Sequence, residues 1–227
     1  NFHDLVDDHL GTLLSNAPIS LPPGATYDHI VSNTAMATVT NTATWTGADS
    51  AGGFAVNDTI PYNFEDISGT GTAVPLGDDE VSLALPMGFT FDYFGVNYTD
   101  AYISSNGFLT FLPGQSNGCC SGQPIPTAGS PDAIIAAWWE DLYPPGGGSI
   151  QYQTLGVAPN RYFIAQYTNL PHFSSGNPVT MQVKLFEGTN VIEVHYQDAP
   201  SDSGTHSAGV ENETGTVGVQ YVLQSTG

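Results

Sequence analysis

The sequence predicts an all-β fold, either a β-sandwich or a jelly roll, because short strand-like segments separated by turns fill most of it. Its 26 Gly and 16 Pro residues are spread along the chain, which is typical of many short strands joined by turns. After Tyr27, no stretch longer than ten residues has the apolar spacing of an amphipathic helix. Hydrophobic residues make up 40% of the chain, which is enough to form a real core.

Residues 1–50 are predicted to form a β segment separate from the main domain. Residues 1–23 fit either a short amphipathic helix or a strand–turn–strand unit, and Leu21–Gly24 marks a clear break. Residues 35–46 alternate small apolar residues with Thr, which predicts a half-buried strand with a hydroxyl-covered outer face. Residues 51–60 are rich in Gly, Ala and Asp and predict a linker.

Residues 61–227 are predicted to form the main β-sandwich domain. Asn106-Gly107 lies between two apolar segments and predicts a hairpin turn, and Glu187–Asn190 predicts another. The predicted strands are Val81–Leu85, Phe89–Phe94, Ala101–Ser105, Phe108–Leu112, Ile134–Trp139, Ile150–Thr154, Arg161–Tyr167, Val179–Phe186, Val191–Tyr196, Ser207–Asn212 and Val217–Tyr221.

The charge of the chain excludes two classes of partner. Lys and Arg number two against 22 Asp and Glu, which gives a formal net charge of -20. A groove that neutralises nucleic-acid phosphates, or a patch that attracts anionic lipids, needs more cations than Arg161 and Lys184 supply. No run approaches the roughly 18 apolar residues of a membrane-spanning helix. We therefore expect neither nucleic-acid binding nor membrane insertion.

Two N-terminal segments, Leu21–Tyr27 (LPPGATY) and Val39–Gly47 (VTNTATWTG), carry a family resemblance. They resemble the closing strands of an immunoglobulin-like module that repeats along many microbial surface proteins. Such a half module exposes strand edges, so we expect an upstream segment, the rest of this chain or a neighbouring molecule to complete it. Strand addition to a neighbour would use the alternating residues Ala35, Ala37, Val39, Asn41, Ala43 and Trp45.

Three segments of the main domain carry a second resemblance: Tyr102–Phe111 (YISSNGFLTF), Ile135–Leu142 (IAAWWEDL) and Ile150–Gln153 (IQYQ). Together they resemble the nidogen-like extracellular domain. Phe64–Ser68 and Cys119–Pro124 are similar to a module of secreted bacterial proteins, so the resemblance covers about residues 60–223. It implies an extracellular, non-catalytic role and names no ligand.

Paired acidic residues at strand ends and turns are the candidate metal ligands. Ca²⁺ is the candidate cofactor, because it takes carboxylate and loop carbonyl oxygens as ligands. No Asp-x-Asp-x-Asp-Gly loop is present, so solvated acidic turns remain the alternative interpretation. The candidates are Glu65, Asp66, Asp78, Asp79, Glu80, Glu140 and Asp141.

Catalysis is not expected. Ser207, His206 and Asp202 offer the residue types of a nucleophilic site, but they lie in a Gly/Ser-rich loop without a Gly-x-Ser-x-Gly turn. The paired acids could serve a glycosidase, but such clefts usually also carry Arg or Lys, of which the chain has two.

The two cysteines are adjacent, at Cys119 and Cys120, in a Gly- and Ser-rich loop that permits a tight turn. They predict a vicinal disulfide in an oxidising exterior, with two free thiols or an intermolecular bridge as alternatives. Trp138, Trp139 and Tyr143 are candidate ligand-binding aromatics that could stack on sugar rings. Adjacent strand residues point to opposite faces, so we expect at least one of the two Trp residues to join the core.

Two functional hypotheses follow. The first is an extracellular or cell-surface structural or adhesive protein, either a filament subunit that assembles by strand addition or part of a large adhesin. Its partner would be a second copy of itself or another surface-protein domain. The second hypothesis is a carbohydrate-binding accessory module of a secreted enzyme, with a glycan as ligand.

Overall fold

The computed structural model describes residues 2–7, 11–18, 42–47, 53–202 and 204–224, the first three ranges by their backbone. Nearly all regular structure in these ranges is β, with one short 3-10 turn at Pro144–Gly146. No helix in the described ranges has the length and apolar character needed to cross a membrane. The strands are β1 (Phe2–Asp7), β2 (Gly11–Pro18), β3 (Thr42–Gly47), β4 (Phe54–Asn57), β5 (Thr72–Ala73), β6 (Leu85–Tyr93), β7 (Val96–Ile103), β8 (Phe108–Thr110), β9 (Ile134–Trp139), β10 (Ser149–Leu155), β11 (Tyr162–Pro171), β12 (Pro178–Phe186), β13 (Ile192–Asp198), β14 (His206–Glu211) and β15 (Gly218–Gln224).

Residues 1–39 and 40–227 form two compact units. In the first unit, β1 and β2 pair as an antiparallel hairpin. The strand–turn–strand interpretation therefore holds for these two segments, and the helical one is wrong. The immunoglobulin-like interpretation of the N-terminal segment stays a prediction.

The second unit confirms the predicted β-sandwich. Among the described strands, one antiparallel sheet has the order β4-β3-β13-β12-β11-β10-β5 and the other has the order β15-β14-β9-β8-β7-β6. The Asn106-Gly107 turn lies between β7 and β8, as predicted. The expected Val81–Leu85 strand does not form, because Val81 makes only an isolated bridge to Ser104 and β6 begins at Leu85.

Strand β3 lies inside the first sheet, between β13 and β4. Trp45, expected to pair with a neighbour, therefore has partners in its own chain on both sides, Ile192 and Val56. Ala43 pairs with Val194 of its own chain on one side. The predicted linker 51–60 contains β4, whose Phe54 packs against Tyr93 with 5.3 Å between ring centroids. The other strand-addition candidates, Ala35, Ala37, Val39 and Asn41, lie outside the described residues.

The main core fills the space between the two sheets. Alternate residues of β6, namely Met87, Phe89, Phe91 and Tyr93, are buried there, as the period of two predicts. Strand β9 is buried on both faces, because loop residues cover the side that points away from the sandwich. There Ile134, Ala136 and Trp139 form a second cluster with Phe108 and Ile125.

An extended segment, residues 63–67, crosses the outer face of the first sheet. Gln166, Gln182 and His195 lie side by side on β11, β12 and β13. The N–H groups of Asn63, Glu65 and Ile67 donate in turn to His195 Nδ1 (3.3 Å), Gln182 Oε1 (3.1 Å) and Gln166 Oε1 (2.9 Å). We call residues 63–67 the crossing segment. Its hydrogen bonds explain how three polar side chains are buried on this sheet.

Both basic side chains of the chain stabilise the fold. Lys184 is buried beneath the crossing segment, where its Nζ donates to the carbonyl of Asn63 at 2.7 Å. Arg161 forms a two-pronged pair with Glu187, at 2.8 and 2.6 Å, and also donates to the carbonyl of Gly88. Neither Lys nor Arg is therefore left to neutralise acids elsewhere.

We predict that Gln182→Ala destabilises the protein by about 1–3 kcal/mol, because it leaves the partly buried N–H and C=O of Glu65 without their partner. Gln182 Nε2 also donates to the Glu65 carbonyl at 2.7 Å. The free energy of unfolding from urea titration is the measurement. Gln197→Ala, at an exposed position of β13, is the control and should change it by less than about 0.5 kcal/mol. Equal losses in the two variants would contradict this account of the crossing segment.

Candidate functional site

Five carboxyl groups meet where strand β9 ends. Glu140 and Asp141 directly follow Trp139 in the sequence. The pKa of Asp141 is raised to about 6, first by burial and then by the negative charges of the other four acids. We call this group the acidic edge, and its members are Asp78, Asp79, Glu140, Asp141 and Asp202.

The buried side chain of Asn106 connects the loops that carry these acids. Its Nδ2 donates to Asp79 Oδ1 at 2.8 Å, and its Oδ1 accepts the N–H of Leu142 at 3.1 Å. Gly107 follows with φ +80°, and a Cβ at this position would lie 1.9 Å from the carbonyl oxygen of Trp138. The Asn-Gly turn therefore allows β9 to approach closely, and the Asn106 side chain sets where Asp79 and the chain after Asp141 lie.

The inner part of the acidic edge consists of Glu140 and Asp202 together with His172. One potential ligand atom from each lies within 4.8 Å of the others. Glu140 and His172 are buried, and Asp202 is partly exposed. His172 Nε2 lies 2.9 Å from Glu140 Oε2, and His172 Nδ1 lies 2.6 Å from the carbonyl oxygen of Asn177. We call Glu140, His172 and Asp202 the inner group.

The electrostatics of the inner group favour opposite charges. Burial by itself lowers the pKa of His172, but the hydrogen bonds to Glu140 and to the Asn177 carbonyl, with the nearby negative charges, outweigh it and raise that pKa. For Asp202, burial raises the pKa, but hydrogen bonds, chiefly with Glu140, and the charge of His172 outweigh it and bring the pKa to about 2. Both shifts favour an imidazolium beside an ionised Asp202 over a wider pH range than the free side chains would give.

The outer part of the acidic edge is partly exposed to solvent and lies beside the two exposed cysteines. One carboxylate oxygen each from Asp79 and Asp141 lies within 4.8 Å of the sulfur atoms of Cys119 and Cys120. The two sulfur atoms lie against each other, as the predicted vicinal disulfide requires. The loop is held by Asn117, whose Nδ2 donates to the carbonyl of Asp79 at 2.9 Å. The outer surface thus combines two carboxylates with an apolar sulfur pair.

An aromatic pair lies beside the acidic edge. Tyr143 and Phe173 meet edge to face, with 5.1 Å between ring centroids. The N–H of Phe173 donates to the carbonyl of Asp141 at 2.9 Å, which fixes the pair next to the acids. Phe173 is 55% exposed, which is unusual for a large apolar side chain. We call Tyr143 and Phe173 the aromatic flank.

An open groove of about 1000 Å³ runs along the other side of Asp79. Its walls come from the chain on both sides of β6 and from the loop that precedes the cysteines. Leu83, 87% exposed, and Tyr102 lie on these walls. The groove therefore offers apolar contact area next to the outer carboxylates.

The structure brings together four of the seven predicted metal ligands: Asp78, Asp79, Glu140 and Asp141. The others lie apart from them. Asp66 accepts hydrogen bonds from Ser68 and Gln166, and Glu65 accepts the hydroxyl of Tyr162 at 2.9 Å on the outer face of the first sheet. Glu80 turns back onto its own loop, where its Oε2 accepts the N–H of Gly77 at 2.6 Å. A shared site for all seven residues is therefore ruled out.

The candidate aromatic ligands divide in the same way. Trp139 is buried, packs against Phe108 and donates to the carbonyl of Gly118 at 2.8 Å, so its assignment as a ligand-binding residue is wrong. Trp138 is partly buried and stacks on His206, with 4.1 Å between centroids. Tyr143 is the predicted aromatic that borders the exposed surface.

His172 and Asp202 were not among the predicted ligands, although they complete the inner group. They lie 32 and 62 residues after Glu140, and no local spacing links them to it. His206 and Asp202, two members of the apparent Ser-His-Asp set, have different partners in the structure. His206 stacks on Trp138, and its Nε2 faces Gln224 Oε1 at 3.2 Å. Asp202 instead accepts the hydroxyl of Ser174 at 2.8 Å.

Comparison with known families identifies the domain. A family model described as NIDO related matches residues 53–227, which include every described residue of the acidic edge. The chain belongs to the NIDO-related family. The expected nidogen-like resemblance is thus confirmed, and membership suggests an extracellular β-rich module. No solved structure matches the chain.

We predict that Asp141→Asn flattens the pH dependence of stability. Because the folded pKa of about 6 lies above the ordinary value of 3.8, the folded state holds this proton more tightly than the unfolded chain. The resulting stabilisation is present below pH 3.8 and is lost as the pH rises through about 6. After solvent screening we expect the variant to gain about 1 kcal/mol relative to wild type between about pH 4 and pH 7. Urea titrations over this range measure it, with exposed Asp198→Asn as the control. Parallel profiles for wild type and Asp141→Asn would contradict the prediction.

The vicinal disulfide stays a prediction that labelling can test. Cys119 and Cys120 are both exposed, so free thiols would react readily. We expect no iodoacetamide adduct in the native, non-reduced protein and two adducts after reduction, as measured by intact mass. Double labelling without reduction would show that the ring does not form.

Proposed function

We propose that this chain is a non-catalytic extracellular protein with a structural or adhesive role, which contacts its partner through the acidic edge and the aromatic flank. The observation that carries the proposal is the exposed Phe173 next to Asp141. An exposed large aromatic side chain lowers solubility, and carboxylates without a basic partner lower stability. Proteins keep such unfavourable groups mainly where they bind a partner. Family membership supports the extracellular setting.

The hydrogen bonds of His172 support the non-catalytic part of the proposal. Both of its ring nitrogens face oxygen atoms, one of Glu140 and one of Asn177. The nearby Ser174 hydroxyl donates to Asp202 rather than to the imidazole. A nucleophile activated by a base needs a hydrogen bond between the two, and this geometry pairs the residues differently.

Charge limits which partners fit the acidic edge. Two copies of a chain with net charge -20 repel each other, so self-association through this edge needs a bridging cation. Ca²⁺ suits the outer carboxylates of Asp79 and Asp141, because it accepts oxygen ligands in a flexible geometry. Ca²⁺-dependent contact with a second copy or with another surface-protein domain is therefore our leading form of the proposal. A filament would further need the segment 35–41 to pair outside its own chain.

A carbohydrate ligand is the second candidate, favoured by the position of the aromatic flank. Aromatic rings stack on the apolar faces of sugars, and neighbouring carboxylates accept hydrogen bonds from sugar hydroxyls. Tyr143, Phe173 and Asp141 place both kinds of group side by side.

We predict that Phe173→Ala weakens partner binding at least about tenfold, because exposed aromatic anchors dominate the energy of such contacts. Immobilised protein is tested against a second copy in solution, with Ca²⁺ or with a chelator, and against a glycan array. Tyr143→Ala should act in the same direction. Val157→Ala, which removes an 80% exposed apolar side chain from the turn after β10, is the matched control and should leave binding unchanged.

The two candidates give different results in these assays. Chelator-sensitive self-binding that is lost in Phe173→Ala supports the adhesive form, whereas glycan binding lost in the same variant supports the carbohydrate form. Binding to any partner that is unchanged in both Phe173→Ala and Tyr143→Ala would overturn the proposed contact surface.

A further inference from the structure

Atoms that accept hydrogen bonds converge within the inner group. Glu140 Oε2 faces His172 Nε2 at 2.9 Å. No N–H or O–H group of another described residue donates to Glu140 Oε1, on a side chain that is 1% exposed, so its hydrogen bond with Asp202 requires a proton on one of the two carboxyl groups. The next carboxylate is that of Asp202, whose Oδ1 and the Oε1 of Glu140 would both contact a Cβ placed on Gly204, at 2.8 and 2.4 Å. Glu140 Oε1 is thus aimed at a second acid.

The hydrogen-bond donors around the inner group donate to oxygen atoms other than Glu140 Oε1. The indole N–H of Trp138 donates to Glu140 Oε2 at 3.0 Å, and the Ser174 hydroxyl and the Gly204 backbone N–H donate to the two oxygens of Asp202 at 2.8 and 2.7 Å. Nothing in these bonds places a positive group between Glu140 Oε1 and Asp202. Two carboxylates in contact are stable only when a proton or a cation lies between them.

The orientation of His172 matches that of a metal ligand. Metal-binding histidines nearly always donate their second ring N–H to a carbonyl or carboxylate, which fixes the tautomer. His172 Nδ1 faces the Asn177 carbonyl at 2.6 Å, so its N–H donates there and Nε2 is the nitrogen left for a metal. Without an ion, a proton on Nε2 joins the ring to Glu140 Oε2 at 2.9 Å, and a bound metal ion would displace that proton. Trp138 similarly fixes the Glu140 carboxylate. An ion would reach the group from the side of Asp202, which is partly exposed beside the exposed Ser174.

We propose that Glu140, His172 and Asp202 form a binding site for a divalent metal ion that accepts mixed nitrogen and oxygen ligands, of which Zn²⁺ is the probe of choice. One imidazole with two carboxylates is a ligand set for Zn²⁺ or Mn²⁺, whereas Ca²⁺ prefers oxygen ligands alone. This site is separate from the outer Asp79 and Asp141 carboxylates, and it does not depend on the proposed adhesive function.

Calorimetric titration of the chelator-treated chain with Zn²⁺ tests the site. We expect one saturable Zn²⁺ site in wild type and at least about tenfold weaker binding in Glu140→Gln and in Asp202→Asn, each of which removes a ligand charge with little change in shape. Tryptophan fluorescence gives an independent readout, because Trp138 donates to Glu140 and should respond to the ion. The distant, exposed Asp198→Asn is the control and should weaken binding less than about threefold.

Folding and competing sites are checked in the same series. Zn²⁺ should raise the thermal unfolding midpoint of wild type and of Asp198→Asn but not that of Glu140→Gln. A cooperative unfolding transition of metal-free Glu140→Gln is the check that this variant folds. The proposal is overturned if Zn²⁺ does not bind wild type, which would mean that protons alone join these acids. It is also overturned if Glu140→Gln and Asp202→Asn bind as tightly as wild type, which would place the ion elsewhere on the chain.

Discussion

The acidic edge depends on one buried amide. Asn106 is fully buried, and its Nδ2 donates both to Asp79 and to the carbonyl of Asn117, the loop residue before the cysteines. Its Oδ1 accepts from Leu142, and its own carbonyl accepts from Glu140 at 3.3 Å. One side chain thus links three loops that are distant in sequence. An aspartate or a leucine could not replace it, because the position requires donor and acceptor together. The outer carboxylates are therefore held in place before any ligand arrives.

Gathering five acids at one edge costs free energy, and the fold offsets that cost without using Lys or Arg. Arg161 and Lys184 are engaged elsewhere, with Glu187 and with the crossing segment. At the edge, an imidazole and neutral donors such as Trp138 and Ser174 take the place of cations. The remaining repulsion is visible in the raised pKa of Asp141. A site that keeps such repulsion is better suited to binding a cation than to stabilising the fold.

Sequence reasoning succeeded where the deciding physics is local. The period-two alternation of β6 and the Asn106-Gly107 turn are set by neighbouring residues, so they could be read directly. Glu65 and Asp66 look like the other acid pairs in the sequence, yet both lie in the crossing segment, which no local sequence pattern reveals. The inner group joins residues from β9, from the β11–β12 hairpin and from the loop before β14, so only the folded chain shows it. Trp139 was misassigned because the loop that covers it, containing Gly118, cannot be inferred from the strand itself.

The two parts of the acidic edge are coupled through charge. A divalent ion in the inner group would place positive charge beside Glu140 and Asp202, two of the acids that raise the pKa of Asp141. The pKa of Asp141 would then fall towards its ordinary value, and Asp141 would be ionised over a wider pH range. Linkage requires the converse as well: any cationic partner that binds the ionised outer acids changes the affinity of the inner site by the same factor. The positive charges of an inner ion and of an outer cationic partner repel each other, so each weakens the binding of the other. Both of them bind more tightly once Asp141 has released its proton. The sign of the coupling between an inner ion and an outer partner therefore depends on pH, and it turns more favourable below about pH 6, where Asp141 still holds a proton to release.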